Sequence, residues 1–303
     1  MKNKKYAASF ALLITALIWG LSYIGVEDAL NNGWGAFPIL FLRSFVAGFI
    51  LVWFTIKKNY KNRGLFINGM LCGLFAFLGL AVQTYGQKLT NVSSTAFITS
   101  LYIIFVPVLT RVFFKKRESL LVYISCIISV IGCFLLNLEW PLSFSRDNWL
   151  GNVLVLLSAI FFALQILFIS KGTKKYNILQ ITTVELFTMA FLSLVAMSLI
   201  GDFSFHTQGL SSVILVAIFS SGISGVLQMW GQKYLPESVS GIIMGLEAIF
   251  ATIFAFLIYH ETMNCIQIIG CVLIFMPLIL IQLPYKKKKE LSLPIEEEIS
   301  DET

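Results

Sequence analysis

The chain has 303 residues, 57% hydrophobic and only 13% charged; soluble domains carry roughly 25% charged residues, so little chain is left for a water-soluble domain. A net charge of +6 invites a nucleic-acid partner, but the basic residues sit in short clusters between apolar runs, which is a pattern of membrane topology and argues against one. Cys72, Cys126, Cys133, Cys265 and Cys271 all fall inside apolar runs, without metal-ligand spacing and with almost no histidine beside them, which argues for buried thiols and against a metal site or cofactor.

A helix needs about 20 apolar residues to cross a bilayer. Ten segments reach that length: about 7–26, 37–56, 66–87, 93–114, 119–137, 149–170, 179–200, 212–232, 238–259 and 264–283. Lys2, Lys4 and Lys5 ahead of the first run resemble the start of a secretory signal, but the run continues to about Val26 and no small-x-small cleavage site follows. It reads as an uncleaved first helix. With the N-terminus placed in the cytoplasm, the inside segments hold 19 of the 22 Lys and Arg, the outside segments hold Lys88 and Arg146 only, and Arg43 lies within the second span. That asymmetry fixes an orientation with both termini cytoplasmic. Residues 286–303 are expected to be a disordered cytoplasmic tail, because Glu290 to Thr303 is acidic and lacks aromatics.

The spans are organised by a repeat. Gln83-Thr84-Tyr85-Gly86-Gln87-Lys88 recurs 145 positions later as Gln228-Met229-Trp230-Gly231-Gln232-Lys233, and the same offset relates Ser93 to Ser238, Leu101 to Leu246 and Phe105 to Phe250. Each half holds five helices, and an odd number sends the second half into the membrane from the opposite side. The predicted fold is all-α and membrane-integral, with ten transmembrane helices as two inverted five-helix repeats, 1–145 and 146–285. Two related halves with a shared interface point to a transporter rather than an enzyme or receptor. No Walker A sequence is present, so ATP does not drive it, and no Ser-His-Asp set can be drawn from His206 and His260, which fall at the outer edges. An intramembrane enzyme would need an acid and base, or a metal site, at one depth. A passive channel would need continuous polar stripes.

Ionisable groups within spans are functional candidates by default. Glu247, tenth of the 22 residues of its span, stands near the midplane, where it could bind a substrate ammonium or cycle a proton, or simply hydrogen-bond a neighbouring helix. Its repeat partner is Tyr102. Arg43 and Glu185 align at an offset of 142, and inversion puts Arg43 near the outer face and Glu185 near the inner, as charges at two vestibules. The alternative is that Arg43 snorkels and Glu185 pairs with a loop lysine such as Lys174. The repeated amides Gln83 and Gln228 must face the bundle to find partners; Tyr85 and Trp230, two places on, either line the path or form an aromatic belt. Trp19, Ser22, Thr99, Ser100 and Gln165 are further lining candidates. Pro107, inside the fourth span, is expected to kink it, as a gate or as a static bend. The Gly69-x-x-x-Gly73 and Gly241-x-x-x-Gly245 faces read as packing within one chain rather than dimerisation.

Several stretches resemble one family. Ala16-Leu17-Ile18-Trp19-Gly20-Leu21-Ser22 resembles its first-helix motif, Phe41-Leu42-Arg43 with Ala47 and Gly48 its second helix, and Ala96 to Leu101 through Val106-Pro107 its fourth. Met244-Gly245-Leu246-Glu247 with Phe250, then His260-Glu261 and Gly270, resembles the end of its second repeat. The family is the EamA-type permeases of the drug/metabolite transporter superfamily, and the resemblance covers about residues 7–283. Ala248 and Thr252 stand where relatives often have proline, and Lys115-Lys116-Arg117-Glu118 replaces a less basic turn. The resemblance implies secondary active transport, mostly export, by alternating access in the plasma (inner) membrane, with no enzymatic activity and no cofactor. Amino acids or related compounds are the expected small-molecule substrate, with protons as the possible coupling ion; multidrug, nucleoside, sugar or organic-acid efflux is the alternative. The partners expected are the lipid bilayer and that solute, and the oligomeric state stays open.

Overall fold

The computed structural model describes residues 2–58, 60–90, 92–136, 149–259 and 265–282. Arg146, the junction of the halves at 145/146, the His260-Glu261 motif, Lys286–Lys289 and the tail 286–303 lie outside the described residues.

Every regular element among the described residues is helical. The first three are α1 (Lys2–Asn31), α2 (Ala36–Thr55) and α3 (Arg63–Leu89). α1 runs past the expected Val26 because Glu27 and Asp28 end the hydropathy signal without ending the helix: Gln87 donates to Glu27, and the Ser212 hydroxyl to Asp28. Asn62 caps α3 by accepting from the Gly64 and Leu65 amides, so the chain re-enters directly after its basic loop. The fourth segment is α4 (Val92–Ser100) plus α5 (Tyr102–Phe114), followed by α6 (Leu120–Leu136). Next come α7 (Trp149–Thr173) and α8 (Ile178–Ile200), the latter closed by Gly201 at φ 75°, a left-handed cap that suits glycine. α9 (Leu210–Leu215), the π-helical turns Val216–Ile223 and α10 (Ser224–Tyr234) follow without interruption. α11 (Glu237–Met244), α12 (Glu247–Tyr259) and α13 (Cys265–Gln282) complete the chain.

Among the described residues, eight segments are long and apolar enough to cross a bilayer. α6 and α13 are shorter apolar helices where the fifth and tenth spans are expected. The bundle's circumference carries bare apolar side chains, with Trp53 78%, Leu120 74% and Leu199 82% exposed, a surface suited to lipid and not to water. The protein is a multi-pass membrane protein.

Packing is between the halves more than within them. α3 lies on α7 and α8, α2 on α8 and the π turns, α1 on α10 and α12, α4 on α12, α5 on α11, and α6 on α13. Close approach needs small residues: a Cβ at Gly73 would stand 2.6 Å from the Glu185 carbonyl, and one at Gly245 would overlap Ile103. Both glycine faces therefore pack inside the chain.

The two ends of the bundle differ. At one end Lys116 and Lys174 both reach Glu237, Lys58 reaches Asn177, and Lys4 lies over the Tyr234 ring. This gathers the N-terminus and four basic loops. At the other end, Gly35 donates to the Ser204 carbonyl, Trp34 to the Gln208 carbonyl, and Thr90 to Asn152.

The fourth segment does not break at Pro107, as the sequence suggests. It breaks at Leu101, where the Leu101 and Ile104 amides turn to acceptors three residues back. Pro107 lies within α5. Its missing N–H frees the Ile103 carbonyl, and the Cys126 thiol fills that role from α6 at 3.4 Å.

Candidate functional site

The segments surround a central cavity of about 880 Å³, its open mouth included. Trp19, Ser22 and Tyr23 come from α1, Arg43 from α2, and Gln83, Thr84 and Gln87 from α3. Thr99 and Tyr102 flank the break at Leu101, and Glu247 follows directly on the break at Gly245–Leu246. Phe162 and Gln165 of α7, Glu185 and Met189 of α8, Ser220 and Ser221 of the π turns, and Gln228 of α10 close the ring. Both halves contribute.

Arg43 and Glu185 do not stand at separate vestibules. Each is seven residues into its helix, roughly 10 Å along the axis and so toward the middle of it. Both are buried and line the same cavity. Arg43 Nε donates to Ser221 Oγ at 2.8 Å and Nη2 to Ser220 Oγ at 3.0 Å; the guanidinium neither snorkels nor meets a carboxylate in this arrangement. Adjacent hydroxyls can both reach it because π-helical winding widens the turn that carries them. Glu185 accepts from Gln165 Nε2 at 2.6 Å, while Lys174 goes to Glu237 instead.

A polar network lies on the first half's side. Gln83 Nε2 donates to Tyr23 Oη at 3.1 Å and to Thr99 Oγ1 at 2.9 Å. Gln87 Nε2 donates to the Tyr23 carbonyl at 2.9 Å and to Glu27 at 3.1 Å. Trp19 is a lining residue and not a belt residue; its indole N–H reaches the Ser220 carbonyl at 3.3 Å, and Ser22 bonds back to the Trp19 carbonyl. Tyr102 and Glu247 lie side by side, close enough for a loose contact between phenol and carboxyl; neither Tyr102 Oη nor Glu247 Oε1 makes a well-aligned hydrogen bond, and Gln228 Nε2 is buried without a partner among the described residues. These polar atoms are where a solute would gain most, since Gln228 Nε2 leaves a bond unmade and the Tyr102–Glu247 contact is poorly formed.

Three expected lining residues, and the expected kink, lie off the cavity. Ser100 turns its hydroxyl to the Ala96 and Phe97 carbonyls, at 2.9 Å each, because a serine facing a helix interior bonds its own preceding turn. Tyr85 packs edge-on against Phe37, ring centroids 5.4 Å apart, and Trp230 packs edge-on against Tyr234 at the basic end, also 5.4 Å. Pro107 is buried in α5 away from the lining. The sequence reading missed Tyr23, Thr84, Gln87, Ser220 and Ser221. Gln87 had a signal, since it closes the same repeated block as Gln83. Ser220 and Ser221 had none, because hydropathy does not encode a π turn. Among the described residues, no group of His, Cys, Asp and Glu is assembled that could hold a metal.

A family profile described as "EamA-like transporter family" matches the sequence twice, over residues 7–138 and 149–283. An uncharacterized transporter of Archaeoglobus fulgidus is 26% identical over 281 residues, covering 92% of this chain and 87% of that protein. The uncharacterized transporter YoaV of Bacillus subtilis is 21% identical over 274 residues, covering 87% and 92%. A crystal structure of a protein 13% identical superposes with a TM-score of 0.75, covering 91% of this chain and 96% of that one. At that identity the likeness speaks for the fold alone.

Proposed function

Because this chain belongs to the EamA-like transporter family, we propose that it is a secondary active transporter, exporting small metabolites by alternating access across the plasma membrane, with amino acids or related compounds as substrate and protons as coupling ion. The observation that carries the reading is the central cavity, where a guanidinium (Arg43) and two carboxyl groups (Glu185, Glu247) face one space lined from both halves. A solute with an anionic and a cationic end fits such a site, and the indole and phenol rings of Trp19 and Tyr23 suit its apolar part.

The proposed architecture is ten spans in two inverted five-helix repeats. Exchanging the halves turns the pair α3–α7 into α10–α1, α3–α8 into the π turns with α2, α4–α7 into α11–α1, and α5–α7 into α12–α1, while α2–α8 and α6–α13 map onto themselves; all of these contacts occur. The double family match supports the same division. The gathering of the basic loops at one end supports a cytoplasmic placement for that end and for both termini.

The test is uptake of a labelled amino-acid mixture into proteoliposomes, with and without an imposed pH gradient. Saturable, gradient-stimulated uptake with counterflow is expected, and counterflow separates a carrier from a channel. Glu247→Gln keeps the shape of the side chain and is expected to abolish gradient stimulation, a loss of at least about tenfold if the carboxyl carries the proton. Full transport with unchanged pH dependence in that variant removes Glu247 from coupling. No uptake by folded protein under either condition moves the substrate search to nucleosides, sugars, organic acids and drugs.

A further inference from the structure

The cavity is lopsided between its two ends. In α3, Gln83 and Gln87 both line it and both are hydrogen-bonded. Gln87 is two residues from the end of α3, so the cavity reaches almost to the less basic end. The equivalent pair in α10 is Gln228 and Gln232. Gln228 lines the cavity, but Gln232, two residues from the end of α10, does not. Gln232 is fully buried, and neither its amide nitrogen nor its oxygen has a partner.

Gln232 is not alone. The hydroxyls of Thr110, Ser170 and Ser238 are also buried and unpartnered. Thr110 is four residues from the end of α5, Ser170 three from the end of α7, and Ser238 is the second residue of α11. All therefore lie within about 6 Å of a helix terminus along the axis, at the basic end. The helices that carry them pack on one another: α5 on α7 and α11, α7 on α10 and α11, α10 on α11. A static seal would be made more cheaply from apolar side chains than from a primary amide and three hydroxyls left without partners.

Directly beyond them is an ionic clamp. Lys116 Nζ stands 3.1 Å from Glu237 Oε2, and Lys174 Nζ 3.2 Å from Glu237 Oε1. The Glu237 side chain is buried while both lysines are half-exposed. One carboxylate thus ties together the turn after α5, the turn after α7 and the first residue of α11. Lys115, at φ 52°, ends α5 in a left-handed cap.

We infer that Gln232, Thr110, Ser170 and Ser238 form the closed half of the translocation path. They take up water or solute when the basic end opens, and the Lys116–Glu237–Lys174 clamp is the latch that holds it shut. In that second state Gln232 takes the cavity-lining, hydrogen-bonded role that Gln87 has here. The inference rests on the two-half transporter reading, but it can be tested without a substrate. Ser170→Cys and Ser238→Cys are nearly isosteric and suit a thiol-accessibility assay in reconstituted membranes. A membrane-impermeant thiol reagent is added from the side of the basic loops, and peptide mass spectrometry separates the new thiols from the native cysteines. Ser129→Cys, at a site also fully buried and unpartnered but in α6 away from the tract, is the control. Glu237→Gln should raise the labelling rate at both tract positions roughly three- to tenfold, the shift expected on losing two coupled ion pairs, and leave the control unchanged. Tract cysteines that stay as unreactive as the control after Glu237→Gln overturn the inference, and so does an equal rise at all three sites, which would be general loosening. Protein that transports amino acids yet fails this assay keeps the transport reading and loses the tract. Protein that labels as expected but transports none of the solutes tried keeps the tract.

Discussion

The central segments of the two halves break at one register although different residues surround the break. Leu101 has φ −61° and ψ −11°; Gly245, one residue before the equivalent Leu246, has φ −59° and ψ −13°. Leu101 donates to the Ile98 carbonyl and Ile104 to that of Leu101; 145 residues later, Leu246 donates to Ile243 and Ile249 to Leu246. The first half has Pro107 six residues on, whereas the second has Thr252 at the equivalent place. A break that recurs without proline is not proline's work. What the two places share is position: α4 and α5 cross α12 and α11 there, with Tyr102 and Glu247 placed beside the cavity just after the turn. The tight winding belongs to the crossing, and the proline is an addition to one side of it.

The crossing is most easily broken at Gly245. A Cβ there would overlap the Ile103 side chain, so Gly245→Val should destabilise the protein by about 3 kcal/mol, the upper part of the overpacking range. The measurement is thermal unfolding in detergent. Ile103→Ala in the same chain should recover part of the loss. A Gly245→Val protein of unchanged stability would mean that the segments do not meet there as closely as described.

The same contrast separates what was legible in the sequence from what was not. Helix positions were legible because hydropathy reports them directly, and each boundary falls within a few residues of its expected place apart from the two ends of α1. Glu247, Tyr102, Gln83, Gln228 and Gln165 could be nominated because a polar group in an apolar run must face protein. The direction of Ser100 could not be read, since a serine satisfied by its own helix has the same sequence pattern as one facing a cavity. Arg43 and Glu185 were separated by counting depth from opposite faces, whereas the pairing of α2 with α8 brings both to one cavity. Tyr23 looks in sequence like any aromatic of an apolar helix, and only the neighbouring Gln83 and Gln87 mark it as a hub.

A finer test concerns what proline does on its own side. Cys126→Ala removes the thiol that serves the Ile103 carbonyl and should cost about 0.5–1 kcal/mol, the range for a weak buried hydrogen bond. In a Pro107→Ala background the restored backbone N–H can take that carbonyl, so the cost of Cys126→Ala should shrink toward zero. The double-mutant cycle should then show a coupling near that same size. Spin labels at the outer ends of α4 and α5 should report the same distance before and after Pro107→Ala. A lengthened segment would return the break to the proline and undo the comparison.

The smallest effect is expected at Thr252. Its hydroxyl donates to the Ala248 carbonyl at 2.9 Å, four residues back, at the register where Pro107 leaves the Ile103 carbonyl to Cys126. Thr252 keeps its own backbone N–H, so its hydroxyl is a second donor to a carbonyl that does not depend on it. Cys271, 145 residues after Cys126, correspondingly has no freed carbonyl to serve. Thr252→Val keeps the branched shape and strands no buried acceptor, so the change in stability should stay within about 0.5 kcal/mol, below that of Cys126→Ala. If the order is reversed, with Thr252→Val the more damaging, the second half is held at its break by a side chain after all. The two breaks would then share a register without sharing a cause.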